Sequence, residues 1–172
     1  MDEQSASAPA NLLRRMAALV YDLLLIAALL LVLTFALLPL TAGEAILTST
    51  HSVIGRLYHV LQLLLAFGYF GISWTRGGQT LGMKAWRIRI ETVDGRLPNW
   101  GDAIVRFMIG ATLLFLAVIG IWQLRTPGWN LGDLAAPLLL LPAPVNLAWV
   151  VLDPEGRSLQ DRAGRLRVLR LA

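Results

Sequence analysis

A long apolar run near the N-terminus constrains the fold more than any other feature of this sequence. Of the 25 residues from Met16 to Leu40, one carries a charge at neutral pH, Asp22. A helix of about 20 apolar residues crosses the hydrocarbon core of a bilayer, so the run predicts a transmembrane helix. An aspartate at the centre of such a helix costs roughly 2.5–3.5 kcal/mol. The side chain of Asp22 therefore needs a partner that offsets this cost.

Further apolar runs predict three more spans, so that the four cover residues 16–40, 53–74, 104–124 and 134–152. The fourth contains Pro137, Pro142 and Pro144, which kink or break a helix, and we expect a broken or re-entrant span there. With 56% hydrophobic residues and a mean hydropathy of +0.63, the chain is too apolar for an ordinary soluble domain. The predicted fold class is an all-α membrane protein with four transmembrane helices.

The positions of the basic residues predict the orientation of these spans. Thirteen of the 15 lysines and arginines fall on one side, and Arg56 and Arg125 fall on the other. By the positive-inside rule, both termini and the central loop are expected in the cytoplasm, with the spans in the inner membrane. The basic charges then have anionic lipid headgroups as partners, and nucleic acid is not expected. Residues 1–12 are predicted to be disordered and 13–172 to form the membrane domain.

Two short segments outside the spans have the alternating pattern of half-buried strands. In the central loop Trp86, Ile88 and Ile90 alternate with polar residues, and an Asp94-Gly95 turn follows. The C-terminal "GRLRVLRLA" is similar in character. Because an isolated strand is not stable, the two segments are predicted to pair. The alternative is two amphipathic segments that lie separately at the membrane surface.

Four stretches of the chain resemble the RDD family of small multi-pass membrane proteins. "RRMAALVYD" supplies Arg15 and Asp22, "GQTLGMKAWRIRI" matches the family's loop, Arg106 opens the next helix, and "DPEGRSLQDRAGRLRVL" matches the closing signature with Asp161. One departure is Gln160, where the family usually has histidine; an amide does not titrate. The resemblance implies a multi-pass protein of the cell membrane with a role in transport.

The leading polar site combines Arg15, Asp22, Arg106 and Asp161. Arg15 and Asp22 are about 10 Å apart along one helix face, which is too far for a direct ion pair. Arg106 begins the third span at a similar depth, so we predict that it holds Asp22. The site is then either an ion or proton site or a structural pair that joins two helices.

The other polar candidates each have a structural alternative. His59 and Gln62 share a helix face and, with Asn146, are predicted either to line a polar pathway or to bond between helices. "RGGQTLG", with Gly78, Gln79, Thr80 and Gly82, lacks the spacing of a phosphate-binding loop and is predicted to form a tight turn. The charges after span four are expected to form either a solvated ion network or a latch between tail and loop. They are Asp153, Arg157, Asp161 and Arg162.

These residues favour a transporter of a small ligand or cation coupled to protons. The alternative is a non-transporting module for the assembly or scaffolding of other membrane proteins. Four helices enclose little space, so transport is expected to need a homo-oligomer. No Ser-His-Asp set or metal-ligand spacing appears in the sequence, so neither enzymatic activity nor a metal or cofactor is expected. There are no cysteines and therefore no disulfides.

Overall fold

The computed structural model describes residues 8–41, 53–125 and 135–171 of the chain. In chain order its elements are α1 (Leu12–Leu37), a 3-10 turn (Leu38–Thr41), α2 (Val53–Gly77), α3 (Leu81–Ala85), β1 (Ile88–Thr92), α4 (Trp100–Arg125), α5 (Ala135–Leu140), α6 (Pro142–Leu152), α7 (Leu159–Ala163) and β2 (Leu166–Arg170). Three helical stretches are long and apolar enough to cross a membrane: Leu12–Leu37, Gly55–Gly77 and Trp100–Arg125. The first three predicted spans are therefore confirmed as helices.

Asparagine caps explain why α1 and α4 begin earlier than predicted. The Asn11 side chain accepts a hydrogen bond from the backbone N–H of Arg14 (3.1 Å). At the start of α4, Asn99 Oδ1 accepts from the backbone N–H of Asp102 (2.9 Å), and Asp102 Oδ2 accepts from the N–H of Asn99 (3.0 Å). An N-cap asparagine satisfies N–H groups that have no partner inside the helix. Both helices therefore include a polar first turn before their apolar stretch.

The fourth predicted span is two short helices. The break falls at Leu141, between α5 and α6, and Pro142 is the first residue of α6. Proline is tolerated in a first turn because its missing N–H would have no helical partner there. Pro137 and Pro144 likewise lie in the first turns of α5 and α6. The predicted interruption is confirmed, and Leu134, the predicted start, lies outside the described residues.

The two strands form an antiparallel pair. Ile90 lies opposite Val168 at the centre of the register, with Ile88 opposite Arg170 and Thr92 opposite Leu166. Alternate residues of each strand are buried, as the sequence pattern predicts. The predicted pairing is confirmed, and the alternative of two separate surface segments is wrong.

The chain just before α1 adds to the free edge of β2. Ala10 donates its backbone N–H to the carbonyl of Val168 (3.0 Å), and Arg170 donates to the carbonyl of Ala8 (2.9 Å). Pro9 forms a bridge with Leu169. Of residues 1–12, which are predicted to be disordered, residues 8–10 are thus bound to β2, Asn11 caps α1 and Leu12 begins it. Residues 1–7 lie outside the described part.

The hydrophobic core lies where this small assembly meets the ends of the long helices. We call residues 8–11, 78–92 and 156–170, which include α3, β1, α7 and β2, the cap. The core side chains of the cap pack on side chains of α1, α2 and α4. Together these core residues are Ala10, Ala18, Trp74, Met83, Ile88, Ile90, Ala103, Leu166 and Val168. In contrast, each candidate span buries 17% of its most apolar 18-residue stretch. The tightest packing is therefore between the cap and the helices.

Candidate functional site

Asp161 lies at the centre of a buried cluster of charges. It occupies the third position of α7, where it and Ser158 form a capping box. Its carboxylate is fully buried and pairs with Arg15 of α1 through Nη1 and Oδ2 (2.7 Å). Its other oxygen pairs with Nη1 of Arg106 of α4. One carboxylate of the cap thus joins two of the long helices.

Arg15 extends this cluster to three further parts of the cap. Its guanidinium donates to the backbone carbonyls of Ala10 (3.0 Å), Gly156 (2.6 Å) and Val168 (3.4 Å). A guanidinium has five donors in a rigid planar arrangement, and a single side chain can therefore hold several carbonyls together. Arg15 fixes the end of α1 to β2 and to the turn before α7.

Arg106 is held between the charge of Asp161 and the face of an indole. Its Cζ atom lies 5.2 Å from the ring centroid of Trp74 in α2, within the range of a cation–π interaction. Arg106 and Trp74 are 7% and 5% exposed. Through Arg106 the cluster therefore contacts all three long helices.

Asp22 occupies a second buried site. Its Oδ2 accepts from the hydroxyl of Thr80 (2.5 Å), and its Oδ1 accepts from the hydroxyl of Tyr69 (2.7 Å) and the backbone N–H of Gly82 (2.8 Å). The prediction that Arg106 holds Asp22 is therefore wrong. The physical reason is that α3 packs directly on α1 and brings uncharged donors to the carboxylate.

The glycine of this contact is needed for the close approach of two backbones. A Cβ atom on Gly82 would lie 2.3 Å from the carbonyl oxygen of Ala18 and 2.8 Å from Oδ1 of Asp22. No larger residue fits between α1 and α3 at this point. Asp22 and Gly82 therefore form one unit.

The remaining residues of the "RGGQTLG" segment form the predicted tight turn. Gly78 has φ +66°, a left-handed conformation that favours glycine. Gln79 donates its side-chain amide to the carbonyl of Ile88 (2.8 Å), and Thr80 caps α3 through the backbone N–H of Met83 (3.1 Å). The segment connects α2 to α3 and orients Thr80 toward Asp22.

The secondary polar candidates do not come together. His59 and Gln62 bond to each other on an exposed face of α2 (3.2 Å). Asn146 is buried in α6 and accepts from the backbone N–H of Leu159 (3.1 Å). Among the described residues, the histidine and the asparagine thus make separate hydrogen bonds, and none joins the two.

The charges that follow α6 form a network without Asp161. Asp153 accepts from the backbone N–H of Arg157 (2.8 Å) and pairs with Arg162 (2.6 Å). The N–H bond first, and then Arg162, hold the pKa of Asp153 below its ordinary value. The predicted grouping of these residues with Asp161 is wrong, because Asp161 points to the interior between α1 and α4.

Two contributors were absent from the predicted set, Tyr69 and Trp74. Tyr69 binds Asp22 and also accepts from the backbone N–H of Leu81 (3.2 Å). Both residues lie near the cap end of α2, where an aromatic residue in a membrane helix ordinarily indicates an interfacial anchor. The spacing of Tyr69 and Trp74 in the sequence, more than one helix turn, gives no information on which charged residue each one contacts.

A family model, described as the RDD family, matches residues 9–165 of the chain. No curated protein and no solved structure matches the chain. The matched region contains Arg15, Asp22, Arg106 and Asp161, and thus both buried carboxylate sites.

Proposed function

The chain belongs to the RDD family, and from that premise we propose that it is a non-transporting membrane module for the assembly or scaffolding of membrane proteins. The observation that carries this proposal is the pairing of Asp161 with both Arg15 and Arg106. A buried carboxylate held by two arginines from different helices is suited to fix those helices in place. In this proposal the protein has no enzymatic activity.

The energetics of the Asp161 cluster support a structural role. Removing one member of a buried ion pair leaves an uncompensated charge, at a cost on the order of 3–5 kcal/mol. An ion pathway needs a group that changes its charge or partner during each cycle. Arg15, which also holds three carbonyls of the cap, would have to release them all.

The long helices support an assembly role because they carry many exposed apolar side chains. Each candidate span buries 17% of its most apolar stretch within the described chain. In α1, for example, Leu24, Leu31 and Phe35 are 68%, 58% and 68% exposed. Such faces contact lipid or the helices of other membrane proteins, including further copies of this chain.

The cap is proposed to face the cytoplasm of a cell with an inner membrane. The positive-inside rule supports this orientation, and so does the exposure of basic side chains on and beside the cap. They are Arg76, Lys84, Arg87, Arg165 and Arg170. In this orientation they contact anionic headgroups, and both ends of the described chain lie on the cytoplasmic side.

A second candidate function, proton-coupled transport of a cation or small ligand, is favoured by Asp22. Among the described residues its hydrogen-bond donors are all uncharged: Tyr69, Thr80 and a backbone N–H. Protonation of Asp22 would therefore break no ion pair. This role would need a homo-oligomer, because His59 and Asn146 lie apart in one chain.

Photocrosslinking in native membranes tests the assembly proposal. A photoreactive amino acid at Leu24 or Leu31, both on the exposed face of α1, is expected to give discrete protein adducts, with this chain or with other membrane proteins. The matched control is Ile26, a larger side chain of α1 that is 8% exposed and should give none. Lipid adducts alone from both exposed positions would contradict the proposal.

A further inference from the structure

Two segments of the cap have the same sequence pattern. The first is "GQTLGMKAWRIRI", residues 78–90, and the second is "GRSLQDRAGRLRV", residues 156–168. Without any gap, they share identical residues at five positions, and four more are conservative exchanges such as Thr80 with Ser158. The identical pairs are Gly78 and Gly156, Leu81 and Leu159, Ala85 and Ala163, Arg87 and Arg165, and Arg89 and Arg167.

The backbones of the two segments match at their least common conformations. The glycines at the start, Gly78 and Gly156, have φ values of +66° and +61°. Arg87 and Arg165, which directly precede the two strands, have φ values of 51° and 50°. Positive φ is uncommon outside glycine, and among the described residues these two arginines are the non-glycine residues that have it.

The short helices of the two segments are capped in the same way. Thr80 and Ser158 are the N-caps of α3 and α7, and each side chain accepts from the backbone N–H three residues later. A strand follows each helix after the positive-φ arginine. The turn, the N-cap residue, the short helix and the strand therefore occur twice, in the same order and geometry.

The helix before each segment makes an equivalent contact. In α2, the hydroxyl of Tyr69 accepts from the backbone N–H of Leu81 (3.2 Å). In α6, the side-chain oxygen of Asn146 accepts from the backbone N–H of Leu159 (3.1 Å). These are the first residues of α3 and α7, so α6 stands to α7 as α2 stands to α3.

The first helices also correspond, with one polar group exchanged. Asp22 and Gly110 lie at the same distance from the asparagine caps of α1 and α4. In the first case Asp22 meets Gly82 of α3; in the second Gly110 meets the side-chain oxygen of Gln160 of α7, which would lie 3.0 Å from a Cβ atom there. Gly82 and Gln160 are equivalent in the aligned segments, so each contact pairs one polar side chain with one glycine.

We infer that the chain contains two copies of one membrane unit, each a helix pair followed by a turn, a short helix and a strand. The surface through which each copy binds the other is the paired edge of β1 and β2. Ile90 and Val168 are equivalent in the aligned segments and also lie opposite each other. This is the register that a two-fold axis between Ile90 and Val168 requires, and it exchanges the pairs Ile88–Arg170 and Thr92–Leu166.

The inference is independent of the proposed function and assigns a role to the proline-broken segment. α5 and α6 are the counterpart of α2, and they return across the membrane that α4 crosses. Parallel repeats related by an axis along the membrane normal are known in membrane proteins. The two copies differ at residues 8–10, which bind the edge of β2. The corresponding edge of β1 binds the carbonyl of Gly78 through the N–H of Ile90 (2.7 Å).

Distance measurements between spin labels test this relation in the full chain, which has no cysteines. Leu24 and Thr112 are equivalent positions of α1 and α4, and Lys84 and Arg162 are equivalent positions of α3 and α7; all four are exposed. The distance from Leu24 to Arg162 should equal that from Thr112 to Lys84. The two distances differing by more than the ~10 Å width of a helix would overturn the inference.

An exchange of residues provides a second test. Gly110→Asp should lower the folded yield in detergent by about tenfold or more, because it sets a carboxylate in an apolar helix beside the side-chain oxygen of Gln160, which would lie 3.0 Å from the new Cβ atom. Adding Gln160→Gly recreates the pair seen at Asp22 and Gly82, so the yield should return to near that of the native chain. Gln160→Gly alone is the control and should have a small effect. A double variant as poorly folded as Gly110→Asp would count against equivalence of the two copies.

Discussion

Asp22 and Thr80, which are 58 residues apart in the chain, are joined by a hydrogen bond of 2.5 Å between Oδ2 and Oγ1. Both residues are buried, at 2% and 0% exposure. The hydroxyl of Thr80 also accepts from the N–H of Met83, so the same residue caps α3 and binds α1. The cost of an aspartate in an apolar helix is thus offset by the cap and not by a second charge.

Replacing Asp22 with asparagine is expected to destabilise the protein. The amide would direct a donor at one of three groups that are themselves donors, and hydrogen bonds to a charged group contribute roughly 1.5–3 kcal/mol each. Thermal unfolding in detergent should show a lower midpoint for Asp22→Asn. Glu155→Gln, at an exposed residue that pairs with Arg157, is the matched control and should leave the midpoint unchanged. Rescue of Asp22→Asn by Arg106→Gln would contradict the structure, because Asp22 and Arg106 do not pair.

Replacing Asp161 with asparagine should have a larger effect. It leaves Arg15 and Arg106 without the carboxylate that pairs with both of them, at a cost on the order of 3–5 kcal/mol. Because the loss arises from the uncompensated charge, Asp161→Asn combined with Arg106→Gln should be less destabilised than the sum of the single variants. A double-mutant cycle by thermal or denaturant unfolding measures this coupling. Strict additivity would show that the residues do not form one cluster.

Disulfide trapping tests the strand register. Side chains directly opposite in an antiparallel pair have Cβ atoms about 4.5–5.5 Å apart, against about 7–8 Å for diagonal neighbours. Cysteines at Ile90 and Val168 should therefore crosslink efficiently under mild oxidation, whereas Ile88 with Val168 should crosslink poorly. Preferential trapping of Ile88 with Val168 would place the strands in a different register.

Labelling with an impermeant maleimide tests the orientation. Cysteines at Thr41 and Arg125, which follow the apolar stretches of α1 and α4, should react in intact cells. A cysteine at Asp94, in the turn after β1, should react after the membrane is permeabilised. Labelling of Asp94 in intact cells would reverse the proposed orientation. The loop over residues 42–52, also predicted on the outer side, lies outside the described residues.

Acid should weaken the attachment of the chain after α6. The pKa of Asp153 is lowered in the folded protein by the N–H of Arg157 and by Arg162. A lowered pKa means that the ionised carboxylate stabilises the fold above the ordinary pKa of aspartate and that this stability is lost as pH falls through the lowered value. The unfolding midpoint of the native chain should decline over this acidic range. Asp153→Asn should have a lower unfolding midpoint at neutral pH, and this midpoint should fall less as the pH is lowered. A midpoint of Asp153→Asn that falls with pH as steeply as that of the native chain would show that Asp153 is not the source of the acid sensitivity.

The sequence predicted those features that depend on periodicity and length. Apolar length identified the long helices, and alternation identified β1 and β2 with their pairing. The sequence could not predict which groups contact the buried charged residues. Donors to Asp22 are two neutral hydroxyls and a backbone N–H, and backbone donors have no signature in residue type. The prediction that Arg106 pairs with Asp22 depends on their similar depth along the helices. The partner of Arg106 in the structure is Asp161, which comes from a segment whose position is set by the sheet.

Ion flux into proteoliposomes that contain only this protein tests most directly whether the buried carboxylates of Asp22 and Asp161 serve structure and not transport. Native protein and Asp22→Asn should be reconstituted at equal folded content, with protein-free liposomes as the baseline, and challenged with a pH gradient and monovalent cations. No flux above baseline is expected for either protein. Proton-coupled flux through the native protein that disappears in folded Asp22→Asn would contradict this expectation and establish Asp22 as a transport site.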